Sequence, residues 1–211
     1  MLLSKSIGQF NTDSHIASYF QENEKLYGLD IGAVDGIFIN NTYLLEKEKG
    51  AEILCVEANP YYYNALKNNR KHAISCAVGA ENKDDVDFFV VKVENNNNLS
   101  SVSSLRIDEN LLNSHKNNYN ISQWTEKVKV RTLDFLLKDW NPPKLDLVSI
   151  DVEGLELDIL THWQTLDFYK PRLLVLEAND IDHENKIINF MRSKEYILSK
   201  KIEVNLFFVK S

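Results

Sequence analysis

Apolar runs of strand length alternate with segments of helical periodicity along most of this chain. "TDSHIASYFQENEKL" offers Thr12 and Asp13 as N-caps and sets Ile16, Tyr19 and Phe20 on one face, the pattern of a helix. "YGLDIGA" reads as a strand, "IFINNTYLLEKEKG" as a helix stopped at Gly50, and "EILCVEA" as a strand buried on both faces, because its apolar run carries no polar alternation. Pro60 fits the first turn of a helix through "YYYNALKNNR", and "HAISCAVG" supplies a third strand that closes a βαβαβ unit.

The middle is less regular. "VDFFVVKV" reads as an added strand, "ENNNNLSSVSS" as a flexible surface loop without periodicity, and "EKVKVRTLDFLLKDW" as a short strand and a short helix. After "NPP", where a helix cannot continue, "KLDLVSID" is a buried strand, "VEGLELDILTHW" a helix, "PRLLVLEAN" a strand and "DHENKIINFMRSK" a helix. "YILSK" and "VNLFFV" pair as an antiparallel hairpin at one sheet edge. The alternation predicts a three-layer α/β domain around a mostly parallel sheet.

Composition narrows the function. At 211 residues and 44% hydrophobic, the chain suits one domain over 1–211, burying about 70% of its unfolded surface. The formal net charge of -7 opposes phosphate backbones and anionic lipid, so no nucleic-acid partner is expected. Cys55 and Cys76 lie in apolar runs without metal-ligand spacing, and the opening "MLLSKSIGQF" has no long apolar core, which points to a reduced, cytoplasmic protein. No run reaches the roughly 18 apolar residues of a membrane span.

In a parallel α/β sheet, ligands sit beyond the carboxyl ends of the strands where strand order reverses. Asp30, Gly32 and Gly36 fall at such an end, where glycines let the backbone approach a ligand and leave amide donors free. Glu57 ends the next strand, 21 residues after Gly36, placed to accept two ribose hydroxyls. The loop Gly32-Ala33-Val34-Asp35-Gly36 lacks the middle glycine of G-x-G-x-x-G that admits a pyrophosphate, so it suits a nucleoside ligand without phosphates. A nicotinamide-dependent oxidoreductase is disfavoured by that missing glycine and by the lack of a substrate domain. A non-catalytic nucleoside-binding module is the other alternative, against which stand Glu57, Asp151 and the loop glycines.

"DIGAVDG", "INNTYLLEKEKG", "CVEANP", "LKNNR", "AVG", "TLDFLL", "LLVLEAN" and above all "LVSIDVEGLELDIL" together resemble the FkbM-type S-adenosylmethionine-dependent methyltransferases, over most of 9–209. The resemblance implies a Rossmann-like fold with a seven-stranded, mostly parallel sheet and an antiparallel C-terminal strand. It also implies a cofactor pocket of Asp30, Gly32, Ala33, Gly36, Glu57, Ala58, Asn59, Ala77, Val78 and Asp151. The N-terminal helical segment over 1–25 and a variable loop or helical insertion over 94–126 flank the matching pieces; Asp35 is an open question, since Val34-Asp35 departs from the commoner family form.

S-adenosylmethionine carries an activated methyl, so the protein must align acceptor, methyl and sulfur, and O-methylation of a small molecule or glycan hydroxyl is what the resemblance favours. A hydroxyl nucleophile profits from a general base or a metal. Asp151, at the end of its strand, and Glu153 are candidate bases, although Glu153 and Glu156 also suit a helix N-terminus through its dipole. Glu177 and Asn179 could join Asp151 around magnesium, although no metal-ligand set is assigned. His183 follows a strand end facing the site and is the third catalytic candidate; His72, His115 and His162 lack a second ligand at metal spacing. Of Tyr61, Tyr62 and Tyr63, one ring could lie against the adenine.

Overall fold

The computed structural model describes residues 5–93, 103–105 and 120–211. Its main sheet takes β1 (Tyr27–Ile31), β2 (Glu52–Glu57), β3 (His72–Ser75), β7 (Leu147–Ile150), β8 (Leu173–Glu177), β9 (Tyr196–Ile202) and β10 (Asn205–Lys210), in the order β3-β2-β1-β7-β8-β10-β9. The first five strands in that order pair in parallel, and β10 runs antiparallel to both β8 and β9. The terminal hairpin therefore sits at the edge as expected, but its second strand is the inner one and β9 is the rim.

Alternate residues along each strand feed two cores, as a pleat requires. Leu54, Val56, Leu174 and Leu176 face one layer, built from α4 (Leu133–Trp140), α5 (Glu156–Thr161), α6 (Leu166–Tyr169) and α7 (Ile181–Ser193). Ile53, Cys55, Leu173 and Val175 face the other, built from α1 (Thr12–Tyr19), α2 (Tyr43–Lys49) and α3 (Pro60–Asn69). Helix α4 shows why these segments are helical. Thr132 caps it by accepting from the Phe135 amide, and Leu133, Leu136 and Leu137 form one buried stripe. Burying each leucine contributes about 1.5–3 kcal/mol.

Strand order reverses between β1 and β7, with β2 and β3 to one side and β8 to the other. That is the switch point at which a ligand crevice opens.

Four expectations need correction. "HAISCAVG" is not one strand: the Cys76 amide turns to the Glu57 carbonyl, and β4 (Ala77–Val78) leaves to pair with β6 (Ile121–Arg131). With β5 (Lys83–Val93), antiparallel to β6, these make a second three-stranded sheet, so the "added" and "short" strands are 11-residue partners. The end of the 94–126 insertion is thus strand from Ile121; residues 94–102 and 106–119, including most of "ENNNNLSSVSS", lie outside the described residues. The helix expected from Ile37 begins only at Tyr43, because Ile39 takes φ +47° and Asn40 and Thr42 turn inward. Finally, neither Thr12 nor Asp13 is the cap of α1. Asn11 occupies that position, and the Asp13 carboxylate accepts from Ser6 Oγ and from the amides of Ile7 (2.9 Å) and Ser14 (2.7 Å), tying the N-terminal segment down.

Candidate functional site

A cavity opens over the carboxyl ends of β1, β2, β7 and β8, with about 1010 Å³ of space free of atoms, the open mouth included. Asp30, Gly32, Glu57, Ala58, Asn59, Ala77, Val78, Asp151 and Glu153 all line it. Glu177 lines it too, and sequence reasoning did not identify the parts of its wall that come from Gln9, Ile39, Asn40 and Asn41 and from Phe88, Ser103, Ser104 and Leu105. Tyr62 is the tyrosine of "YYY" that reaches it; Tyr61 instead binds Glu126 at 2.6 Å and meets Trp124 edge to face at 5.6 Å.

The loop after β1 is held by backbone geometry. The amides of Gly32 and Ala33 both donate to the Val56 carbonyl, at 2.9 and 3.1 Å. Gly32 has φ +86°, and a Cβ built there would lie 1.9 Å from the Asp151 carbonyl oxygen. Its lack of a side chain is therefore required first by the neighbouring strand end rather than by a ligand. Two other members of the expected pocket are displaced from it. Ala33 packs into the core beneath the sheet, and a Cβ on Gly36 would meet Arg70 Cγ at 2.5 Å, so Gly36 makes room for a side chain. Asp35 accepts from the amides of Ile37 and Phe38 at 2.8 and 2.7 Å, which makes it the cap of the following turn.

Arg70, the last residue of "LKNNR", is the centre of a buried network. It donates to Glu46 (3.0 Å), the Gly36 carbonyl (3.1 Å), Asn40 (2.9 Å) and Thr42 (2.9 Å), and its guanidinium lies 3.8 Å from Asp30. Asp30 accepts through Oδ2 from Asn40 and Thr42, each at 2.8 Å. Burial pushes the Asp30 carboxyl up, and the Arg70 charge opposes that shift. Arg70→Lys keeps the charge but loses the planar fork, and is expected to lower stability by about 1–3 kcal/mol in urea denaturation. An unchanged midpoint would show that the network is not what holds this wall.

Glu57 is buried and already engaged: Oε2 accepts from the Val34 amide and Oε1 from the Asn59 amide, both at 2.7 Å. Burial pushes its carboxyl up to about 7, against the pull of those amides. Asn59 caps α3 by accepting from the Tyr61 amide at 3.0 Å, while its buried Nδ2 has no partner among the described residues.

At the switch point Asp151, Glu153 and Glu177 each offer a carboxylate oxygen, all within 4.8 Å of one another. Asp151 and Glu177 hydrogen-bond to each other; burial raises both carboxyls, as do the Glu177 charge on Asp151 and the Glu153 charge on Glu177. Such a pair shares one proton because two adjacent buried carboxylates cannot both ionise cheaply. Glu153 reaches the cluster from a turn with φ +57°, followed by Gly154 at +96°. Glu156 holds that turn, its Oε1 accepting from the amides of Val152 (2.9 Å) and Gly154 (3.3 Å), and burial pushes its carboxyl up to about 7.

Asn179 directs its Nδ2, a donor, to Glu177 (3.1 Å) and Glu153 (3.4 Å), so the oxygen donors that converge here are the carboxylates of Asp151, Glu153 and Glu177. His183 does not line the cavity. Its Nε2 lies 3.6 Å from Glu156 Oε2, and burial lowers its basicity, so it packs against Glu156 rather than facing the cavity.

A profile described as the methyltransferase FkbM domain matches residues 30–198. The chain belongs to the FkbM methyltransferase family. Among solved structures, the methyltransferase FkbM from Methylobacillus flagellatus KT superposes with a TM-score of 0.56 at 14% identity, covering 90% of this chain. The chain spans 44% of the length of that protein. The precorrin-6y C5,15-methyltransferase from Geobacter metallireducens GS-15 gives 0.50 at 15% identity, over 100% of this chain and 94% of its own. A comparison with curated protein sequences found no match. The FkbM family is one of S-adenosylmethionine-dependent methyltransferases, and the sheet order and the cavity at the switch point are the Rossmann-like architecture of such enzymes. No helix among the described residues is long and apolar enough to cross a membrane.

Proposed function

We propose that this protein methylates a hydroxyl oxygen of a small molecule or glycan, using S-adenosylmethionine. The observation that carries the reading is the Asp151–Glu177 carboxyl pair, with Glu153 beside it, in the same cavity as the Glu57 loop cradle. When bound, the cofactor supplies a methyl group on a sulfonium, for which an acidic cavity is a favourable surrounding. The residues fit it. Glu57, held rigid by two backbone amides, can take the ribose hydroxyls; Ala58, Ala77 and Val78 give small apolar walls for the adenine, and the unpartnered Asn59 amide supplies a donor. With the pair's one shared proton on Glu177, the Asp151 carboxylate accepts the acceptor's proton, leaving both carboxyls of the pair neutral.

The same three carboxylates also match the oxygen donors that magnesium prefers, which supports a metal-assisted variant of this reading. The acidic walls and the overall charge favour an uncharged or cationic acceptor over nucleic acid. We read 1–211 as one domain and its two buried free cysteines as those of a cytoplasmic chain.

Calorimetry with S-adenosylhomocysteine and with NAD tests the cofactor assignment. Binding of the first alone is expected; binding of NAD alone would support an oxidoreductase, and binding of neither a non-catalytic protein. Glu57→Gln is expected to weaken S-adenosylhomocysteine binding by about 1–3 kcal/mol, through lost charge-assisted hydrogen bonds, in a protein that still folds. Unchanged affinity would remove Glu57 from the ribose site.

A further inference from the structure

Two enclosed polar atoms that make no hydrogen bond among the described residues face each other: Glu156 Oε2 and His183 Nε2, 3.6 Å apart. Neither residue lines the cavity. Helix α7 packs against α5 to bring them together, and Ile159 and Ile187, about one turn on from each, lie in the apolar core. A buried donor or acceptor without a partner is costly, and one proton between these two atoms satisfies both. A shift of about 0.5 Å closes the gap to hydrogen-bond length. Burial favours the arrangement in which both groups are uncharged, since it pushes the Glu156 carboxyl up to about 7 and the His183 imidazole down. Among the charged groups around the pair, Asp151 adds to the first shift, while Asp180 and Asp182 oppose the second and Lys186 adds to it.

The pair acts on the site through the other carboxyl oxygen. Glu156 Oε1 accepts from the amides of Val152 and Gly154, which flank Glu153, and Glu153 and Gly154 hold φ +57° and +96°. A carboxyl held at one oxygen can swing about its last bond, a torsion with broad minima; held at both, it cannot. We propose that His183 is a positioning residue for the carboxylate cluster: its Nε2 shares a proton with Glu156 Oε2, and the clamped Glu156 fixes the turn that sets Glu153 beside Asp151 and Glu177. That the turn serves methyl transfer rests on the reading above, whereas the link from ring to turn is tested without a ligand.

Hydrogen exchange of the Val152 and Gly154 amides, followed by ¹H–¹⁵N NMR, reports the turn. His183→Leu fills space but leaves Glu156 Oε2 unpaired, and is expected to speed exchange at both amides by about tenfold or more. His183→Gln returns an amide near the position of Nε2 and is expected to stay within about threefold of wild type. A ring that only fills space gives the reverse order, with leucine preserving the turn as well as glutamine or better, and that result would overturn the proposal. Unchanged exchange in both variants would do the same. Should neither variant fold, wild-type protein decides: a slowly exchanging proton far downfield, in through-space contact with the His183 ring, is expected, and its absence would overturn the pair. Wild-type protein that fails to bind S-adenosylhomocysteine in calorimetry would instead overturn the reading that the turn serves, whatever the amides show.

Discussion

A Gly32→Ala protein is expected to lose cofactor binding entirely and to denature at markedly lower urea. Two effects act together. The residue holds φ +86°, a conformation that a side chain disfavours, and the added Cβ would stand 1.9 Å from the carbonyl oxygen of Asp151. That oxygen belongs to backbone, so a rotamer change cannot relieve the contact. Either the loop lifts away from Val56, losing the amide bonds of Gly32 and Ala33, or the end of β7 moves and carries the Asp151 carboxyl with it. The Asp151 amide is itself bonded to the Ile31 carbonyl at 3.0 Å, so the second route also opens the β1–β7 pair at the switch point. Strain of this kind belongs with the largest single-site effects, about 4 kcal/mol or more. Urea denaturation alongside titration with S-adenosylhomocysteine checks both consequences. A folded variant with wild-type affinity would show that neighbouring strand ends tolerate far more movement than this packing implies.

That contact also shows what the sequence could not disclose. The order of strands and helices was legible because strands buried on both faces appear as unbroken apolar runs, as in "EILCVEA" and "LLVLEA", and because Pro60 and Gly50 punctuate helices where their backbone preferences require. The strand-end positions of Asp30, Glu57 and Asp151 followed from the same pattern. Gly32 and Gly36 were recognisable as special, but not what each avoids, since Asp151 and Arg70 lie 119 and 34 residues away in the chain. Arg70 gave no local signal: a cation just after a helix usually reads as solvated, and only the fold reveals a buried pocket of acceptors around it. The second sheet was hidden because much of β5 and β6 is exposed, which leaves their alternation polar and weak. His183 was misread for the opposite reason. Its position after a strand end was correct, but the helix it sits on turns its ring toward Glu156 rather than into the cavity.

Asp151→Asn separates proton transfer from scaffolding at the cluster. As a neutral amide of the same shape, asparagine can still donate a hydrogen bond to Glu177, as the protonated Asp151 would, so no cavity opens and no new buried charge is left alone. The variant is therefore expected to fold normally and to bind S-adenosylhomocysteine with wild-type affinity. Methyl transfer to an acceptor found by screening hydroxyl-bearing small molecules and glycans is expected to fall by about 10² to 10⁴, the usual worth of a positioned general base. If wild-type turnover also stops on adding a chelator and returns with magnesium, the three carboxylates act through a metal, since removing one of three ligands would weaken such an ion along with the base. If instead Asp151→Asn keeps near-wild-type turnover, the pair is structural. Alignment of acceptor and cofactor then carries the acceleration alone, and Glu153, the remaining carboxylate that lines the cavity from that turn, becomes the residue to replace next.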